Sequence, residues 1–84
     1  VLMWGSPETG VFTGLWECDA GRFRTEFGED GGECIHVVSG RLIARHDDGT
    51  VTEVGPGDTM TFPPGWRGTW ECPTPFRKFY TVFK

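Results

Sequence analysis

Gly57-Asp58-Thr59-Met60-Thr61-Phe62-Pro63-Pro64-Gly65 reads as turn, short strand, turn. Gly55-Pro56 ahead of it and Gly57-Asp58 at its start are turn formers. Thr59 to Phe62 then alternates polar and apolar, the period of a half-buried strand. Pro63-Pro64-Gly65 stops the ladder, because proline has no N–H to donate. Met60 and Phe62 therefore share a face that must point at a core. Beyond the turn, Gly68 and Trp70 share one face, and Arg67 and Thr69 the other.

The same grammar extends outward in both directions. Val11 to Cys18 reads as a strand, with Val11, Thr13, Leu15 and Glu17 opposite Phe12, Gly14, Trp16 and Cys18. Arg22 to Phe27 alternates cleanly, and Gly28 to Gly32 is an acidic, glycine-rich loop. Strand 33–38 is bent by Ser39-Gly40 into strand 41–46, and Val51 to Val54 returns. The Asp47-Asp48-Gly49 turn between them suits a type I′ hairpin. Strands 68–71 and 76–83 flank the loop Cys72 to Pro75. Val1 to Trp4 is a short apolar run, and Gly5 to Gly10 reads as loop. About eight strands with frequent turns, and no apolar 3.6-period stretch, give an all-β sandwich or small barrel. Trp16-Glu17-Cys18 recurs as Trp70-Glu71-Cys72, which reads as chance similarity between two strand ends.

Two of these strands carry a family pattern. Glu33, six residues, then Gly40 resembles the second half of the first cupin motif, and Gly57…Pro63-x-Gly65 resembles the start of the second. With Trp16-Glu17-Cys18…Gly21-Arg22-Phe23 upstream and Trp70-Glu71…Arg77-Lys78…Tyr80 downstream, the likeness runs from about Thr13 to Phe83. The chain is similar to the small single-domain cupins that resemble ureidoglycine aminohydrolase and the ethanolamine-utilisation cupin. That resemblance implies a double-stranded β-helix, or jelly-roll barrel. Residues 1–84 are expected to be one such barrel, trimmed at both ends, because valine comes first and the last strand runs into Lys84 without a stop.

Catalytic cupins hold a metal through a His-x-His pair and a Glu of the first motif and a His of the second. Here the resemblance supplies Glu33 alone: Glu26 to Glu29 contain no histidine, and the second-motif position is Gly68. No cofactor is therefore expected. A divalent metal held by carboxylates, with Glu26 and Glu33 as candidate ligands, is the lesser alternative. Glu29 and Asp30 lie nearby in what reads as a solvated loop. His36 falls on the strand face opposite Glu33, with Cys34 and Val38, and His46 ends its strand at an exposed turn.

A Glu33 carboxylate pointing into the barrel needs a partner, for which Lys78 and Arg77 are the candidates. The resemblance puts Lys78 and Tyr80 inward beside Val82. An interior of Glu33, Lys78, Tyr80, Trp70 and Phe62 would suit a small polar ligand. An ion pair that only answers its own burial is the competing reading. Trp66 and Arg67 are candidates for the rim of the mouth, as lid or dimer contact.

Composition bounds the rest. A net charge of −4 without a basic run argues against nucleic acid, and no apolar run of ~18 residues argues against a membrane span. Three cysteines without a Cys-x-x-Cys read as reduced thiols in a cytoplasmic protein, with a Cys18–Cys72 disulfide as the alternative. A chain of 84 residues rich in Trp and Phe buries only roughly 60–65% of its unfolded surface, so a homodimer is expected.

Overall fold

The computed structural model describes residues 2–84 and contains only strands and turns among them. Nine strands follow in order: β1 Leu2–Ser6, β2 Val11–Cys18, β3 Gly21–Glu26, β4 Gly32–Ser39, β5 Leu42–His46, β6 Val51–Val54, β7 Thr59–Phe62, β8 Arg67–Cys72 and β9 Phe76–Phe83. They form two antiparallel sheets, β1-β2-β9-β4-β7 and β3-β8-β5-β6. This is the double-stranded β-helix expected from the sequence.

β7 sits as its alternation requires. Phe62 is fully buried, Met60 packs against the core, and Thr59 and Thr61 are exposed. Its two flanking turns are built alike. In Gly55–Asp58 the Asp58 amide donates to the Gly55 carbonyl, with Pro56 second and Gly57 at φ 88°. In Pro63–Trp66 the Trp66 amide donates to the Pro63 carbonyl, with Pro64 second and Gly65 at φ 81°. Both are the type II pattern, in which only the third residue needs a positive φ. The Asp58 carboxylate fastens the first by accepting from the Gly55 amide at 2.9 Å.

The core lies between the sheets. Ile35, Val37 and Phe62 come from the larger one, Leu42, Ala44, Val54, Trp70 and Cys72 from the smaller. Each large apolar side chain buried here contributes about 1.5–3 kcal/mol. Gly40, at φ 81°, closes β4 where a Cβ would stand 2.2 Å from the Pro75 carbonyl oxygen, so the bend admits no side chain.

Several expectations change. Gly5 and Ser6 are not loop: β1 runs to Ser6 and pairs with β2, with Trp4 opposite Thr13 and Ser6 opposite Val11. Val1 lies outside the described residues. The hairpin after β5 is not type I′, which needs two positive φ values. Only Gly49 has one, at 98°, and the Gly49 amide donates to the His46 carbonyl, as in a type I turn followed by a left-handed glycine. His46 is half-buried: its Nδ1 accepts from the Asp48 amide at 3.0 Å, and its ring packs edge-on to Trp66. Trp66 is no lid. It is 7% exposed and meets Phe27, His46 and Phe62 edge-on, so the indole plugs one end of the barrel while Arg67 stays exposed.

Candidate functional site

β4 and β9 lie side by side, with Val37 opposite Lys78, Ile35 opposite Tyr80 and Glu33 opposite Val82. Alternation turns all six inward. Glu33 and Lys78 therefore face the interior four residues apart in register and lean toward each other past the Ile35–Tyr80 pair. Lys78 Nζ donates to Glu33 Oε2 at 2.5 Å, and both side chains are at most 9% exposed. Arg77, the other candidate partner, points out and lies 3.9 Å from Glu17.

Aromatic rings complete the surroundings of the ammonium. Lys78 Nζ lies 4.8 Å from the Trp16 ring and 4.3 Å from the Trp70 ring, with Tyr80 at 5.9 Å. A cation over an indole face is attracted by the ring quadrupole, more so when desolvated. Burial pushes the Lys78 pKa below the ordinary lysine value, while the charge and hydrogen bond of Glu33 pull it back part of the way. The Trp70 indole Nε1 is buried with no hydrogen-bond partner, an uncommon state for a buried donor.

The pair opens onto a cleft of about 310 Å³ lined by Trp16, Glu33, Lys78, Tyr80 and Val82. Of the interior residues named from sequence, Glu33, Lys78 and Tyr80 line it. Trp70 stands behind Lys78 and also packs on Phe62. Phe62 belongs to the core, stacked on Phe27. Trp16 was missed. Its signal was present: it sits on the Gly14–Cys18 face of β2, and β2 pairs with β9 so that Trp16 stands opposite Lys78. The two Trp-Glu-Cys tripeptides also meet, Trp16 against Trp70 edge-on at 6.5 Å and Cys18 against Cys72 at 3.9 Å. Their likeness is thus matched by contact in space. No disulfide joins the two cysteines.

The residues present do not fit the histidine-based metal centre of catalytic cupins. Glu33 is engaged by Lys78, and Glu26 is exposed and bound by Arg24 at 3.1 Å. At Gly68, where the second-motif histidine would stand, a Cβ would lie 2.2 Å from the Arg45 carbonyl oxygen and 2.6 Å from the Trp66 ring. The Trp66 plug takes the space a ligand side chain would need. Among the described residues no three His, Cys, Asp or Glu side chains are grouped as metal ligands. Cys34 and His36 share the outer face of β4. No helix among the described residues is long and apolar enough to cross a membrane.

The family model of the EutQ-like cupin domain matches residues 5–80, and no curated protein matches the chain. An ethanolamine utilization protein Q from Salmonella typhimurium superposes with a TM-score of 0.78 at 25% identity, over 90% of this chain and 59% of that one. A DUF861-family protein from Thermotoga maritima gives 0.75 at 28% identity, over 83% and 77%. The EutQ protein of Clostridium difficile gives 0.83 at 19% identity, over 99% and 64%, a likeness of fold alone. The chain spans less than two thirds of the length of either EutQ protein. With the match running through nearly all of the nine-stranded barrel, the chain belongs to the family of EutQ-like cupin domains.

Proposed function

We propose that this domain binds a small polar molecule in the cleft lined by Trp16, Glu33, Lys78, Tyr80 and Val82. One observation carries the reading: the ion pair is buried, yet both members line an open cleft. A buried pair is weak as a stabilising device, because desolvation offsets most of the Coulomb attraction. A charge kept at a lowered pKa beside aromatic walls is a common feature of binding sites. Lys78 and Tyr80 can donate to a carboxylate or carbonyl, Glu33 can accept from an amine or amide, and Trp16 and Val82 cover apolar edges. The resemblance to ureidoglycine aminohydrolase and to ethanolamine-utilisation cupins makes small carboxylates, ureides and amino alcohols the first class to test.

The experiment is a thermal-shift screen of those compounds against wild type, Glu33→Ala and Tyr80→Phe. A ligand in the cleft raises the wild-type midpoint and loses most of that effect in both variants. Equal shifts in wild type and Glu33→Ala would remove Glu33 from the site. A screen with no shift in wild type would sink the binding reading.

A second reading, turnover of such a metabolite, is favoured by the hydrogen bond between a lowered-pKa lysine and a carboxylate, which is the arrangement of an acid–base pair. Product formation with any compound that binds, lost in Lys78→Met, supports it. Binding without turnover overturns it.

A further inference from the structure

Cys18 closes β2 in the larger sheet, and Cys72 closes β8 in the smaller one. Their sulfurs are 3.9 Å apart, with the Cys18 thiol donating to Cys72. Both thiols are free. Cys72 is 1% exposed, whereas Cys18 is half-buried and lines a second cleft, of about 540 Å³, with Glu17, Asp19, Ser39, Phe76 and Arg77. One sulfur of the pair is thus open to a small reagent, and the other waits behind it in van der Waals contact. Nothing in the ligand-binding reading uses either.

We infer that Cys18 and Cys72 are an oxidisable pair that a low-molecular-weight disulfide converts into an intramolecular bond stapling the two sheets. The Cys18 thiolate attacks one sulfur of the reagent, forms a mixed disulfide and expels one reagent thiolate. The Cys72 thiolate then attacks the Cys18 sulfur, and the second reagent thiolate leaves. The protein loses two electrons and two protons, and the reagent gains them as two thiols.

Geometry sets the order. The cleft admits the reagent to Cys18, and only a bond already on Cys18 lies within reach of Cys72. Burial, with the neighbouring Cys18, pushes the Cys72 thiol up to about 12, so Cys72 is a poor first nucleophile. Capping Cys18 takes away its charge and its hydrogen bond, two of the causes that raise Cys72. The sulfurs must close from 3.9 Å to about 2.05 Å. The staple ties strand ends 54 residues apart in sequence, and a closed loop of that length restricts the unfolded chain strongly.

The test incubates the reduced protein with oxidised glutathione, alkylates the remaining thiols and maps the products by mass spectrometry. Wild type and Cys34→Ser should lose the mass of two hydrogen atoms and yield a Cys18–Cys72 peptide. Their thermal midpoint should rise by roughly 10 °C. Cys72→Ser should stop at a glutathione adduct on Cys18. Should Cys72→Ser not fold, Cys18→Ser serves, and it should leave Cys72 reduced. A lasting glutathione adduct on Cys18 of the wild type would overturn the inference. So would reaction confined to Cys34, or no reaction of the folded protein under conditions that oxidise the unfolded chain.

Discussion

Lys78 and Glu33 meet across the register of two neighbouring strands, their side chains bridging from positions four residues apart to a 2.5 Å contact inside the barrel. Neither would be buried alone, since an unpaired interior charge is costly. Together they leave the ammonium between two indoles and the carboxylate at the cleft edge.

Glu33→Ala should destabilise the protein by about 3–5 kcal/mol near neutral pH, because it leaves the Lys78 charge buried without its partner. Replacing both, as Glu33→Leu with Lys78→Met, should be close to neutral or stabilising by about 1–4 kcal/mol, since apolar groups of similar size carry no desolvation cost. Urea unfolding of the single and double variants checks this. A double variant as unstable as Glu33→Ala would mean that packing, not charge, decides the site.

Stability should depend on pH through Lys78. Its folded pKa lies below the ordinary lysine value of 10.5, so the unfolded chain holds that proton more tightly. Stability then rises with pH between the folded pKa of Lys78 and 10.5, and the burden of the buried charge is greatest below that window. Wild type should therefore gain on the Glu33→Leu/Lys78→Met variant as the pH rises toward 10.5. Titrating groups distant from the pair cancel in that difference. A difference constant across the range would mean Lys78 titrates as it does in the unfolded chain.

Gly68→His should not restore a metal centre. The new Cβ would stand 2.2 Å from the Arg45 backbone and 2.6 Å from Trp66. It would push β8 from β5 or expel the indole, at a cost of about 2–4 kcal/mol. Elemental analysis of wild type and variant after incubation with manganese, iron, nickel or zinc should find well under one metal per chain in each. Stoichiometric metal in the wild type would show that Glu33 and loop carboxylates form a site in spite of the Lys78 contact.

The strand pattern was legible because period-two alternation is a local property. β2, β6 and β9 fall where Val11–Cys18, Val51–Val54 and Phe76–Phe83 alternate or run apolar between turn residues. The inward set Glu33, Lys78 and Tyr80 followed from the same alternation once the motifs fixed which face was interior. What sequence hid depends on contacts between distant segments. Gly5 and Ser6 look like loop until β2 pairs with them. Trp66 follows Pro-Pro-Gly and looks exposed until Phe27, Phe62 and His46 close round it. Cys18 and Cys72 were named as a possible pair, but they lie on different sheets, so no pattern within one strand shows that their sulfurs meet at 3.9 Å.

The edge of the larger sheet carries the last prediction. Among the described residues β1 pairs only with β2, and it presents Leu2, Met3 and Trp4 at 59%, 61% and 54% exposure. Three consecutive large apolar side chains on an outer strand are an aggregation hazard unless covered. A self-complementary two-fold contact is the commonest cover for a small soluble chain. We therefore expect a dimer that buries this strand. Sedimentation equilibrium should give twice the chain mass at micromolar concentration, and Trp4→Glu should weaken association at least tenfold, about 1.4 kcal/mol. Trp4 is exposed, so the variant should still fold cooperatively as a monomer, with a midpoint lowered only by the loss of association. A wild type that stays monomeric at high concentration would leave β1 uncovered and end the dimer reading. A dimer indifferent to Trp4→Glu would place the contact elsewhere on the barrel.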